Sequence, residues 1–253
     1  MTDQYDRIAI VTGVTSGIGK AVTKKLAATG SGVVGNARSA ERLGDLEKEL
    51  GGAFCGVAGD ASDSTVLEKL FAAAGERFAR PVDIVVANAG RGLGGSVKDA
   101  DLSQFDDMLK INVTGTLCLL QKAARKMIEG RQQAYPAMAR DIVIVGSVVG
   151  RHVSPFSAVY SATKFAVHGL AEALRREMGP HGVRVSLVEP GLVSTGFQAA
   201  AGYSGEMMQN FEKKFGPLLT GDDIARAIHY IVTQPPHVHV SDIIVRPTRQ
   251  DYP

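Results

Sequence analysis

The sequence predicts an α/β fold. It is a doubly wound domain with a seven-stranded parallel sheet and helices on both faces, formed by the whole chain, residues 1–253. Three observations predict it. Short apolar, β-branched runs recur along the chain and alternate with amphipathic stretches of helical period. Most of these runs are too continuous to leave one face wet, as suits strands covered from both sides. The first run leads through a glycine turn straight into a helical pattern. At 253 residues the chain is long enough for one sizeable core.

The expected strands, in order, are Ile8–Val11, Val33–Asn36, Phe54–Ala58, Asp83–Ala87, Ile142–Val145, Arg184–Val188 and Ile243–Val245. After the first, Gly13, Gly17 and Gly19 form the pattern Gly-x-x-x-Gly-x-Gly, with Thr15, Ser16 and Ile18 between them. A helix from Ile18 to Leu26 follows, ending near Gly30. Glycines there let the backbone turn tightly and approach a pyrophosphate, and the helix N-terminus offers free N–H groups to the anion. Val66-Leu67 and Leu70-Phe71 mark an amphipathic helix after the third strand, and Phe105–Leu120 a further helix. The segment 130–140 is longer than its connection needs and reads as a projecting surface loop. There is no internal repeat, low-complexity tract or interdomain linker.

Composition excludes several classes. Hydrophobic content of 45%, charged content of 21% and a net charge of +2 are ordinary for a globular enzyme. No basic cluster interleaved with aromatics points to nucleic acid, and no apolar run reaches the length of a membrane span. Met1-Thr2-Asp3-Gln4-Tyr5-Asp6 does not read as a secretory signal. Cys55 and Cys118 form neither a close pair nor a metal spacing, so a reducing cytoplasm is the expected setting. Among the six histidines, His237 and His239 share one face of an extended segment but have no carboxylate or cysteine at ligand spacing. No metal is expected.

Tyr160 and Lys164 lie four residues apart, so on a helix they share a face. A free phenol, with a pKa of about 10, exchanges protons poorly at neutral pH. A fixed positive charge beside it favours the phenolate. Ser147 stands thirteen residues before Tyr160, at the end of an apolar run. Taken alone, the spacing also fits a half-buried tyrosine beside a solvated lysine.

Together these residues resemble the short-chain dehydrogenase/reductase family, over nearly the whole chain. Thr12 to Gly19 matches its cofactor motif, Asn88-Ala89-Gly90 the motif after the fourth strand, and Asn112 the asparagine on the next helix. Ser147, Tyr160 and Lys164 match the catalytic trio, and Pro190-Gly191 with Thr195 the segment that closes over the nicotinamide. The resemblance implies a Rossmann-type fold and hydride transfer between a nicotinamide cofactor and a carbonyl or alcohol. It implies that Ser147 orients the substrate oxygen and that Tyr160 gives or takes its proton. Lys164 would lower the Tyr160 pKa and hold the nicotinamide ribose, and Asn112 would hold a water that links Lys164 to solvent. It places the cofactor against Gly13, Thr15, Ser16, Gly17, Ile18, Gly19, Arg38, Ser39, Asp60, Ala61, Asn88, Ala89, Gly90, Tyr160, Lys164, Pro190, Gly191, Val193 and Thr195. An oligomer, tetramer or dimer, is also implied, with Leu117, Leu120, Phe165, Leu170 and Leu174 either at the intersubunit face or in the core.

The end of the second strand selects the cofactor. An acidic residue there accepts the ribose hydroxyls of NAD, whereas an arginine pairs with a 2′-phosphate. This chain has Ala37-Arg38-Ser39, which favours NADP(H). The substrate mouth is expected to be lined by Ser147, His152, Phe156, Tyr160, Phe197 and Tyr203, under a lid at about 192–217 that also carries Met207, Met208 and Phe211. Arg151 reads either as a partner for a substrate carboxylate or as a surface arginine. The C-terminal stretch from Gln234 to Thr248 is similar to a branch of the family that oxidises small 3-hydroxy acids such as serine or reduces aldehydes. A non-catalytic nucleotide sensor and a cofactor-dependent isomerase, dehydratase or epimerase are the alternatives on the same scaffold.

Overall fold

Alternation along each strand divides its side chains between two faces, and here both faces are apolar. The computed structural model describes residues 5–129 and 135–252. Its strands are β1 (Arg7–Thr12), β2 (Ser31–Ala37), β3 (Phe54–Ala58), β4 (Ile84–Ala87), β5 (Arg140–Val145), β6 (Val183–Pro190) and β7 (Asp242–Val245). They form one seven-stranded sheet in the order β3-β2-β1-β4-β5-β6-β7, every neighbouring pair parallel. Each expected strand is present. β2 and β6 are longer than expected because backbone pairing continues through Ser31 and Gly32, and through Glu189 and Pro190, which carry no apolar signal.

The helices are α1 (Gly17–Ala28), α2 (Ala40–Leu50), α3 (Ser64–Phe78), α4 (Phe105–Leu109), α5 (Thr116–Ile128), α6 (Ala158–Met178), α7 (Phe197–Ala200), α8 (Gly205–Phe215) and α9 (Gly221–Val232). Ile8 and Ile10 of β1 pack with Leu67 and Leu70 of α3, Leu120 of α5 and Val167 of α6. Ala9 and Val11, facing the other way, pack with Val22 of α1, Leu43 of α2 and Ile224 and Ile228 of α9. The two clusters are the two cores of a doubly wound sheet. At the amino ends of the strands, Asp141 accepts from Arg184 at 2.7 and 2.9 Å and from Arg7 at 2.7 Å, which ties β1, β5 and β6 together.

One expectation is refined here, and one left open is decided. The predicted single helix Phe105–Leu120 is helical throughout, but in three registers: α4, a π-helical turn at Lys110–Gly115, and α5. Within that turn Asn112 bonds sideways to the Arg91 backbone, and Gly115 lies so close to Ser62 that an added Cβ would come within 3.0 Å of its Cα. A hydrophobic period of 3.6 carries no trace of one extra residue per turn. Of the five apolar positions considered for a subunit face, Leu120 and Leu174 are buried in the core and Leu170 packs partly against it. Leu117 and Phe165 point outward, 46% and 44% exposed. The loop predicted at 130–140 falls, at residues 130–134, outside the described part.

Candidate active site

The strand order reverses between β1 and β4, which opens a crevice at the carboxyl ends of these strands. The segment 13–19 forms its floor. Gly13 and Gly17 have φ of +74° and +51°, a region that side chains disfavour. Gly19 has a different reason: a Cβ there would stand 2.2 Å from the Gly13 carbonyl oxygen. Helix α1 begins at Gly17. Ser16, its N-cap, makes no capping bond with its side chain, and the first turn has no acidic residue. By contrast α2, α3 and α9 are capped by Ser39, Asp63 and the Thr220–Asp223 capping box. Thr15 and Ile18 lie in the same turn, half-buried.

Thr12 holds the next segment in place. Its Oγ1 accepts from the Asn88 and Ala89 N–H groups at 3.1 and 3.0 Å, and Asn88 Nδ2 donates to the Thr12 carbonyl at 2.8 Å. Gly90 faces Asn112, whose Oδ1 accepts from Arg91 N at 2.9 Å. Asn112 Nδ2 donates to the Arg91 carbonyl at 2.9 Å and to Thr163 Oγ1 at 3.0 Å. Both amide donors are therefore spent on protein, while Oδ1 accepts, among the described residues, only the one bond from Arg91 N.

At the end of β2, Ala37 is buried and Arg38 exposed. The Ser39 hydroxyl accepts from Arg42 N at 3.3 Å, so its first role is the cap of α2. Asp60 accepts from Ser62 N and Oγ, both at 2.8 Å. These bonds hold its carboxyl below the usual range, with smaller help from the charges of Lys110 and Arg38. Ala61 beside it is buried.

Tyr160 stands in the first turn of α6 and Lys164 one turn on, its Nζ 5.8 Å from the phenol ring centroid. Ser147 precedes a 3₁₀ turn at Val148–Gly150, and its Oγ accepts from Val149 N at 3.3 Å. Ser147 also lies near enough to the Tyr160 hydroxyl to favour its ionised form. Burial pushes the Tyr160 phenol up; Ser147 opposes this, and nearby Tyr203 adds to it. Lys164 donates to the Val145 carbonyl at 2.8 Å, and burial lowers its pKa to about 8. The expected lowering of the Tyr160 pKa by Lys164 is thus not seen here, because desolvation outweighs an ammonium turned toward a backbone carbonyl.

The far wall comes from 192–217. Gly191 N donates to Val245 O at 2.7 Å and Leu192 N to Gln250 Oε1 at 2.9 Å, which anchors the segment just after Pro190. Val193 is buried, and Thr195 lies over Gly17, 3.2 Å from where a Cβ would stand. Phe197 packs on Tyr160 with ring centroids 5.5 Å apart. Tyr203 is half-buried, and burial raises its pKa against a smaller opposing effect of Ser157. The Gly94 N–H donates to Ala201 O at 3.0 Å, so this wall rests on the loop after β4. Ser147, Tyr160, Phe197 and Tyr203 are thus brought together. His152 and Phe156 are left exposed at the rim, Phe156 by 69%.

Arg151 is exposed, as the surface reading expects, but its head group is engaged. Its guanidinium forms a bidentate pair with Glu189, with Nε and Nη2 each 2.7 Å from a carboxylate oxygen. Glu189 is fully buried. Its signal was present, since a carboxylate inside an apolar strand requires a cation, but the partner lies 38 residues away. His168 and Gln250 also escaped sequence reading. Among the described residues no three His, Cys, Asp or Glu side chains converge as a metal site, and no helix is long and apolar enough to cross a membrane. Cys55 and Cys118 are unpaired, and His239 Nε2 lies 2.8 Å from the Val185 carbonyl.

Comparison with known proteins agrees with this layout. The short chain dehydrogenase family matches residues 7–203. An uncharacterised oxidoreductase of Staphylococcus aureus strain MW2 is 34% identical over 248 residues, 98% of this chain and all of the relative. The closed form of serine dehydrogenase complexed with NADP+ superposes with a TM-score of 0.87 at 28% identity, over 97% of this chain and 96% of that one. The 3-ketoacyl-(acyl-carrier-protein) reductase from Brucella melitensis, complexed with NADH, gives 0.86 at 27% identity, over 97% and 98%.

Proposed function

This chain belongs to the short-chain dehydrogenase/reductase family, and from that premise we propose that it is an NADP(H)-dependent oxidoreductase interconverting a carbonyl compound and an alcohol. The observation that carries the proposal is the meeting of Ser147, Tyr160 and Lys164 at the carboxyl end of the sheet, with the Lys164 Nζ 5.8 Å from the Tyr160 ring centroid and Ser147 near the phenol. The glycine turn fits a dinucleotide: Gly13 and Gly17 hold positive φ, Gly19 lets the helix start close against Gly13, and the first turn of α1 brings no competing carboxylate. Gly13 to Gly19, Asn88 to Gly90, Asp60, Ala61, Pro190, Gly191, Val193 and Thr195 would hold it. Arg38, with the adjoining Ser39, favours the 2′-phosphate. The solved relatives bind either form, so Arg38 beside Ala37 carries this preference.

When bound, the nicotinamide supplies or accepts the hydride. Ser147 Oγ donates to the substrate oxygen and sets its direction. Tyr160 Oη gives that oxygen a proton in reduction and takes it back in oxidation. A phenol raised by burial stays protonated at neutral pH and is ready to donate. Lys164 Nζ holds the ribose and, as an ammonium, stabilises the phenolate left behind. Asn112 serves by fixing the Arg91 backbone and Thr163. Segment 192–217 acts as the lid, with Phe197 excluding water from Tyr160. Small 3-hydroxy acids and aldehydes are the first candidates, given the likeness to a serine dehydrogenase. The same proposal includes a homo-oligomer formed through α5 and α6.

The test is a screen of hydroxy acids, aldehydes and ketones followed by the absorbance of reduced nicotinamide. On the substrate found, Tyr160→Phe should bind NADPH normally and lose turnover by about a hundred- to ten-thousandfold. Near-native turnover in that variant overturns the mechanism. Product formed without stoichiometric cofactor consumption points instead to an isomerase.

A further inference from the structure

Behind Ser147 lies a side chain that the mechanism does not use. His168 stands on α6 one turn after Lys164, with its ring against the inner side of the turn from Gly146 to Gly150. A Cβ on Gly146 would come 2.5 Å from its Nε2, and one on Gly150 would come 2.5 Å from both Cε1 and Nε2. The two glycines therefore form a socket of the size of an imidazole. Inside it, the Ser147 N–H donates to His168 Nε2 at 3.3 Å. A nitrogen that accepts carries no proton, so the ring proton sits on Nδ1. Nδ1 faces Glu189 Oε2 at 3.8 Å. Glu189 is in turn gripped by Arg151, the first residue after the same turn. Both ends of the Ser147 turn are thus tied to one buried carboxylate on β6, the residue before Pro190.

We propose that His168, as a neutral imidazole backed by Glu189 and Arg151, is a positioning residue that sets the Ser147 hydroxyl against Tyr160. The inference rests on the Ser147–Tyr160 site proposed above. His168 reaches only the Ser147 backbone, so it acts through that residue. A proton on Nε2 would remove the acceptor and set two N–H groups against each other. Burial lowers the His168 pKa from the ordinary imidazole value, with Glu189 and Asp242 attracting the proton and Lys164 and Arg151 repelling it. At neutral pH the accepting form therefore prevails, and its loss belongs to an acid limb below the ordinary imidazole value of about 6.5.

Two kinds of measurement test this. Nitrogen NMR of the imidazole in the full chain should show Nδ1 protonated and Nε2 bare at neutral pH. The opposite tautomer overturns the proposal whatever the enzyme's activity. In kinetics, His168→Leu removes the acceptor and should lower kcat roughly ten- to a hundredfold, the scale of a misplaced reacting group, while KM and NADPH affinity change little. His168→Gln, whose Oε1 can accept the same N–H, should recover most of kcat and lose the acid limb. A leucine variant with near-native kcat, or a glutamine variant no better than leucine, overturns it. Should the leucine variant fail to fold, an acid limb unchanged between wild type and His168→Gln does the same. Retained turnover in Tyr160→Phe removes the mechanism underneath but leaves the tautomer result standing.

Discussion

Lys164 shows how far a residue's environment departs from what its spacing implies. Four residues from Tyr160, it was legible at once as an acid–base partner. Its burial and its bond to Val145 were not, because they depend on β5 lying beneath α6. The consequence is measurable. With a folded pKa of about 8 against 10.5, the folded chain binds fewer protons than the unfolded chain between these values. Stability should therefore rise with pH across that window. From pH 8 to 10 the gain should be about 2 kcal/mol in protein without added cofactor. Urea denaturation of wild type and Lys164→Met checks it: the difference in stability should move toward wild type as pH rises, and a flat difference refutes the burial. The Tyr160 phenol, shifted upward, acts in the opposite sense from its ordinary value of about 10 upward, at the top of the range compared. Glu189 teaches the same lesson. Its need for a cation was readable from β6, but not that Arg151 would meet it.

At the scale of elements, strand ends and turns carry the specificity. The β2–α2 junction gives Ala37 to the core, Arg38 to solvent and Ser39 to the cap of α2. Three adjacent residues thus have three separate tasks, and Arg38 keeps its guanidinium exposed. Arg38→Ala should weaken NADPH binding about ten- to a hundredfold, as expected when a charge-assisted pair is lost, and NADH binding far less. Fluorescence titration with both cofactors decides this, and equal losses exclude contact with the 2′-phosphate. The strands and the glycine turn were readable because continuous β-branched runs and glycines report on local geometry. The π-helical turn at Lys110–Gly115 was not, since its cause is tertiary: Asn112 bonds to Arg91 and Thr163, and Gly115 packs against Ser62. His152 and Phe156 were placed in the mouth by proximity to Ser147 alone, and the chain between turns them out to the rim.

For the whole molecule, two-sided apolar strands foretold that helices would cover both faces, and the two cores bear this out. What no alternation pattern states is which outer helix faces stay uncovered. α5 and α6 carry Leu117 and Phe165 outward, 46% and 44% exposed. Apolar side chains are also exposed on β7 and α9, where Ile244 is 41% and Tyr230 53% exposed. Each face meeting its own copy about a two-fold axis gives a closed contact, and two such contacts on one chain give a tetramer. An exposed strand edge adds a reason for cover at β7. Light scattering should therefore report a tetramer for the wild type. Replacing both Leu117 and Phe165 with Glu places like charges across the first contact and removes its apolar area. That variant should fall to a dimer, held by β7 and α9, with its far-ultraviolet circular dichroism unchanged because neither side chain is in the core. A wild-type monomer at every concentration, or a tetramer indifferent to both charges, shows that the α5 and α6 face is not a subunit contact.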